Sequence, residues 1–94
     1  MRVARRLRIH GRVQGVGFRA FVRQTAHDLG LEGWVRNRLD GTVEAVAVGE
    51  EGDVRAFVDR VRKGPRFGRV DRLDLAEEDA AGAPSGFSIL GDRR

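Results

Sequence analysis

The chain has 94 residues, enough for one domain spanning 1–94 and too few for two cores or a separate cofactor-binding unit. It contains no Cys and only two His, which excludes disulfides, thiolate nucleophiles and cysteine-ligated zinc and leaves too few ligands for a metal cage. The formal net charge is +4, carried by 18 basic residues of which only Lys63 is Lys, a skew that reads as codon bias; no apolar run is long enough to span a membrane.

The first predicted element is a strand in which Leu7 and Ile9 alternate with Arg6, Arg8 and His10, although Arg5 falls on the apolar parity. A glycine-rich loop follows. Beyond it, Phe18, Phe21, Val22, Thr25, Ala26 and Leu29 recur at helical spacing, and Gly30 stands where a C-terminal cap is expected. "LEGWVRN" reads as a second strand, and "RLDGTV" carries an Asp-Gly pair between apolar runs, a strong hairpin signal. The third strand, about Thr42 to Val48, has valines at both parities, as a central strand would. Val54, Phe57, Val58 and Val61 return to helical spacing, and "KGP" at 63–65 supplies a cap glycine and a proline stop. Val70, Leu73 and Leu75 predict a fourth strand whose parity slips once, as at a bulge. Residues 76–86 read as an acidic, small-residue loop, and "FSIL" as a short last strand. This order, with a hairpin in the middle, predicts an α+β split βαβ sandwich: an antiparallel sheet with two helices on one face.

The chemistry concentrates in residues 11–19, "GRVQGVGFR". A loop between a strand and a helix can aim several backbone N–H groups at one point, where the helix N-terminus adds partial positive charge. Such a loop makes an anion cradle, with Gly15 and Gly17 giving close approach and Gln14, Val16 and Phe18 donating through their amides; a plain tight turn is the alternative. Arg19, on the first turn of the helix, can bring its fork over the cradle and hold a phosphate through two N–H bonds. Arg23, one turn on, reads as a solvated surface charge. The charge distribution agrees with an anionic ligand: residues 1–27 carry seven Arg and no acid, whereas residues 71–79 carry five acids and Arg72. "GVGFRA" formally matches a dinucleotide fingerprint with Asp40 downstream, but that fingerprint needs a parallel doubly wound sheet, and here the helix leads into a hairpin. The nucleoside-triphosphate loop is missing.

Taken together, "GRVQGVGFR" and "GWVRNRLDGTVEAVAVG" resemble the two sequence signatures of the acylphosphatases, and the "KGP" helix end, Val70, Phe87 and Ile89 are similar to that family's layout over nearly the whole chain. The resemblance implies a ferredoxin-like sandwich and hydrolysis of the mixed anhydride of a carboxylic acid and phosphate. It implies that Arg19 binds the phosphate within the loop Gln14–Arg19 and that Asn37 holds the attacking water. From its chemistry alone, Asn37 could orient a water by accepting and donating at once, or could simply be a turn residue. The leaving group of such a substrate departs as a carboxylate and needs no protonation at neutral pH, so a site without a catalytic acid or base is consistent. Trp34 is expected to pack on the sheet, and His10 and His27 to lie on the surface.

The basic balance would also suit an RNA-recognition module, but that requires aromatics on the open sheet face, and Phe18, Phe21 and Phe57 lie on helix stripes. The other rival, an acylphosphatase-like part of a carbamoyltransferase, would continue into cysteine-rich modules. The N-terminus shows strand alternation and glycines instead of an apolar signal run or an amphipathic targeting helix. The expectation is therefore a cytoplasmic, monomeric enzyme that takes a small acyl phosphate, without cofactor, metal, nucleic acid or membrane.

Overall fold

The computed structural model describes residues 1–80 and 85–91; residues 81–84 of the expected 76–86 loop, with 92–94, lie outside the described residues. The elements are β1 (Arg2–Arg12), α1 (Phe18–Asp28), β2 (Glu32–Asn37), β3 (Val43–Glu50), α2 (Glu51–Lys63), β4 (Arg69–Glu77) and β5 (Phe87–Ile89). They form a five-stranded sheet in the order β4-β1-β3-β2-β5. Both helices lie on one face, α1 against β2 and β5, α2 against β1, β3 and β4. This is the ferredoxin-like α+β sandwich that the patterning predicts. One strand departs from the expected antiparallel sheet: β5 runs parallel to β2, pairing Gly33, Trp34 and Val35 with Phe87, Ser88 and Ile89.

β3 is central, paired with β1 on one side and β2 on the other. Its valines at both parities are accordingly buried on both sheet faces, Val43 toward the helices and Val46 and Val48 away from them. The main core joins Leu7, Ile9, Val35, Val43, Ala45 and Ala47 of the sheet to Phe18, Val22 and Ala26 of α1 and Val54, Phe57 and Val61 of α2. Each of these larger side chains stabilises the fold by about 1.5–3 kcal/mol through burial. Arg5, on the apolar parity, lies at the edge of this layer, where its guanidinium donates to the Ala4 carbonyl at 2.8 Å.

The anticipated parity slip in β4 is a bulge. Arg72 pairs with His10 but Val70 pairs with Gly11, so Asp71 is the extra residue and Val70 turns back toward the core. α1 ends in a Schellman motif: Leu31 N–H donates to the Ala26 carbonyl (2.9 Å) and Gly30 N–H to that of His27 (3.1 Å). The hairpin between β2 and β3 closes over Leu39, Asp40 and Gly41, with Arg38 N–H donating to the Thr42 carbonyl at 2.9 Å and Gly41 at φ 91°. It is thus a three-residue loop rather than a turn centred on the Asp-Gly pair. Asp40 secures it by accepting from the Thr42 N–H (3.0 Å) and hydroxyl (2.6 Å).

The open sheet face holds a second, small apolar cluster, Ala4, Val46 and Val48 with Trp34 packed on it. Arg36 stacks its guanidinium 4.3 Å from the Trp34 ring centre. Beside them Glu44, only 1 % exposed, accepts from Arg6, Arg36 and Arg38 and lies 3.8 Å from Arg8. Burial pushes the Glu44 carboxyl up, but the hydrogen bond from Arg38 and the charges of Arg6 and Arg38 outweigh it and hold the group below its ordinary value.

Candidate active site

The loop from Val13 to Gly17 carries the chain from β1 into α1 at the end of the sheet where β2 also ends. Gly15 and Gly17 have φ of 75° and 77°, and among the described residues none other than glycine has a positive φ, so left-handed residues flank Val16 on both sides. Alternation of this kind turns successive N–H groups toward one side, as in anion-binding nests. A Cβ at Gly15 or Gly17 would meet nothing within 4 Å, so the demand for glycine is conformational, not spatial.

α1 begins at Gly17 with no side-chain cap and no acidic residue in its first turn. α2 differs, because Glu51 and Asp53 in its first turn already face its positive end. The N-terminus of α1 is therefore the one left for an exogenous anion.

A cleft of about 210 Å³ opens at this end, lined by Val13, Gly15, Gly17, Phe18, Arg19, Ala20, Asn37 and Ile89. Arg19, half-buried on the first turn of α1, shares this wall with the cradle glycines, whereas exposed Arg23 is not part of the lining. Asn37, the last residue of β2, is 8 % exposed, and its Oδ1 is buried without a hydrogen-bond partner in the chain. A buried carbonyl oxygen left unpaired costs free energy, and a water donating to it removes that cost. Phe18 Cβ and ring are in the core, so only its backbone faces an anion.

Gln14 and Val16 stand beside the cleft without lining it. The Gln14 side chain is directed away from the cradle: its Nε2 donates to the carbonyls of Arg38 (2.8 Å) and Thr42 (2.9 Å) in the β2–β3 hairpin. Three lining residues lie outside the sequence expectation. Val13 and Ala20 are neighbours of the motif, but Ile89 arrives on β5, opposite Val35 and two positions from Asn37 on the same face. No local signal marks Ile89, because its place depends on the parallel pairing of β5.

Among the described residues the lining contains no carboxylate and no imidazole. His10 contacts Asp74 at 3.1 Å and Arg72 at 3.2 Å on the open face, and His27 lies 3.3 Å from the Phe87 carbonyl. Among the described residues no group of His, Asp and Glu gathers that could hold a metal ion. A larger cleft of about 260 Å³ between β1, α2 and β4 is lined by Arg5, Arg55 and Arg62 with Glu51 and Asp59. It carries both signs of charge and has no glycine cradle, whereas the smaller cleft joins the glycine loop to Arg19 and Asn37.

The family model described as acylphosphatase matches residues 5–89. The chain belongs to the acylphosphatase family. An acylphosphatase of Acidovorax sp. strain JS42 is 49 % identical over 81 residues, 86 % of this chain and 84 % of that one. An acylphosphatase of Thermococcus kodakarensis is 47 % identical over 90 residues, covering 96 % and 98 % of the two chains. The crystal structure of acylphosphatase from Bacillus subtilis superposes with a TM-score of 0.90 at 41 % identity, over 96 % of this chain and 99 % of that one. The chain is thus a hydrolase whose reaction is that of an acylphosphatase. No helix among its described residues is long and apolar enough to cross a membrane.

Proposed function

We propose that the cleft between the Gln14–Arg19 loop and Asn37 is where this acylphosphatase cleaves the carboxyl–phosphate bond of an acyl phosphate, giving a carboxylate and inorganic phosphate. The backbone N–H groups of Gln14, Gly15, Val16, Gly17 and Phe18 and the Arg19 fork hold the phosphoryl oxygens, and Asn37 orients the water. The observation that carries this reading is the buried, unpartnered Oδ1 of Asn37 in the same lining as Arg19 and the uncapped start of α1.

Asn37 Oδ1 accepts one water hydrogen and directs the water oxygen at phosphorus, while the cradle and Arg19 neutralise charge on the equatorial oxygens as the bond to the leaving oxygen opens. The carboxylate leaves unprotonated, and a phosphoryl oxygen takes the proton from the water. Positioning and electrostatics are then sufficient, which agrees with a lining that, among the described residues, holds no carboxylate or imidazole. The same reading takes residues 1–94 as one domain, a cytoplasmic monomer working on a small acyl phosphate without cofactor, metal or nucleic acid.

Benzoyl phosphate hydrolysis tests it. Arg19→Ala is expected to lower turnover by roughly two to three orders of magnitude, as when an oxyanion-type donor is lost. Arg19→Lys should restore little, because a point charge does not reproduce the fork. Near-normal hydrolysis by the alanine variant would end the assignment.

A further inference from the structure

The two halves of the cleft are held by strands that do not touch. The cradle hangs from β1 and Asn37 ends β2, but the sheet order puts β3 between them. Sheet hydrogen bonds therefore fix the distance from cradle to Asn37 only indirectly. One side chain makes the connection directly. The Gln14 Nε2, which stands at the start of the cradle, donates to the carbonyl of Arg38, the residue after Asn37, and to that of Thr42 across the hairpin. Both partners are carbonyl oxygens, so only the NH₂ end of the amide satisfies them, and both of its hydrogens are used. The Thr42 carbonyl also takes the Arg38 N–H at 2.9 Å, so the tie grips the closing pair of the hairpin itself.

We infer that Gln14 is a positioning residue: its side chain sets the separation between the phosphate cradle and Asn37, and so the approach of water to phosphorus. This rests on the roles proposed above for the cradle and Asn37. It is distinct from the contribution of the Gln14 backbone amide to the cradle. An in-line attack requires the reacting atoms within roughly 3–3.5 Å, and a misplacement of about 1 Å costs on the order of a hundredfold in rate. Without the tie, the cradle keeps its own backbone geometry and the anion still binds, but the hairpin carrying Asn37 is free to settle elsewhere.

The test compares kcat for benzoyl phosphate with the inhibition constant of inorganic phosphate in the full chain. Gln14→Leu keeps the size and removes the donors; kcat should fall about 10- to 100-fold while the phosphate constant stays within about threefold. Gln14→Lys, whose ammonium can donate to both carbonyls, should recover most of the rate. Gln14→Asn, one methylene short, gives the same split should the leucine variant not fold. Because Gln14 acts through Asn37, Gln14→Leu combined with Asn37→Ala should be no slower than Asn37→Ala alone. A lowered melting temperature with kcat unchanged would make Gln14 a structural staple only, and equal losses in kcat and phosphate affinity would place its side chain in the anion site. Either result overturns the inference, as does a multiplicative loss in the double variant. Full activity in Asn37→Ala would instead remove the reading beneath it.

Discussion

Asn37 and Glu44 are both polar, buried and seven positions apart, yet they bury polarity for opposite reasons. Asn37 leaves an acceptor unpaired at the cleft, whereas Glu44 on the other sheet face is surrounded by donors. For Asn37→Ala we expect kcat to fall by about 100-fold or more with phosphate inhibition changed only a few fold, because the proposed mechanism gives water and anion to different groups. Loss of phosphate binding with turnover of bound substrate intact would reverse that role. Glu44→Gln leaves four guanidiniums around a neutral amide and should destabilise the fold toward the lower end of the roughly 3–5 kcal/mol seen when a buried pair is broken, since those arginines keep some contact with water. The Glu44 carboxyl is held below its ordinary 4.5 in the fold, so its contribution is complete above that value and disappears as pH falls through the folded one. The gap in melting temperature between wild type and Glu44→Gln should therefore be constant near neutrality and narrow only as pH falls below the ordinary carboxylate range. A gap that persists in acid would show that packing, not charge, is what the glutamate supplies.

The loop between β1 and α1 is proposed to work through its backbone, and a bulky residue at Gly15 tests it as an element. Inorganic phosphate should raise the melting temperature of the wild type by binding the native state alone. Gly15→Val, which forces a β-branched residue toward φ 75°, should abolish that protection. Equal protection in both would locate the anion elsewhere. This element is legible in the sequence because its signals are local: glycine spacing, a following apolar stripe and an arginine on the first turn. The helices and the bulge in β4 are legible for the same reason, through the spacing of Phe18, Val22 and Ala26 and the slipped parity of Val70. Asn37 stands out from an ordinary turn residue only through likeness to a family, since its partner groups come from a different strand. Ile89 and the Gln14 side-chain tie are illegible because each depends on a pairing between distant segments. The Asp-Gly pair announces the hairpin but not its three-residue loop, which the Asx bond from Thr42 to Asp40 selects.

At the scale of the molecule, the cleft draws on the β1–α1 loop, α1, β2 and β5, so its integrity depends on strand order as much as on residue identity. β5 has only three residues and is secured chiefly by Phe87, 4 % exposed, with its ring centre 6.0 Å from that of Phe57. Phe87→Ala should cost about 3–5 kcal/mol in urea denaturation and loosen the wall that carries Ile89, so that activity falls well below what the folded fraction accounts for. Activity that tracks the folded fraction would show that the wall is dispensable. The parallel seat of β5 beside β2 also gives the enzyme a history in time. Residues 13 and 89 must meet before the cleft has both sides, and closing so long a segment is slow compared with winding either helix. During synthesis, a nascent chain can already hold the cradle and the arginine while still lacking the far wall. On the proposed assignment, turnover is expected to act as a clock for completed topology, starting once β5 has found its place beside β2.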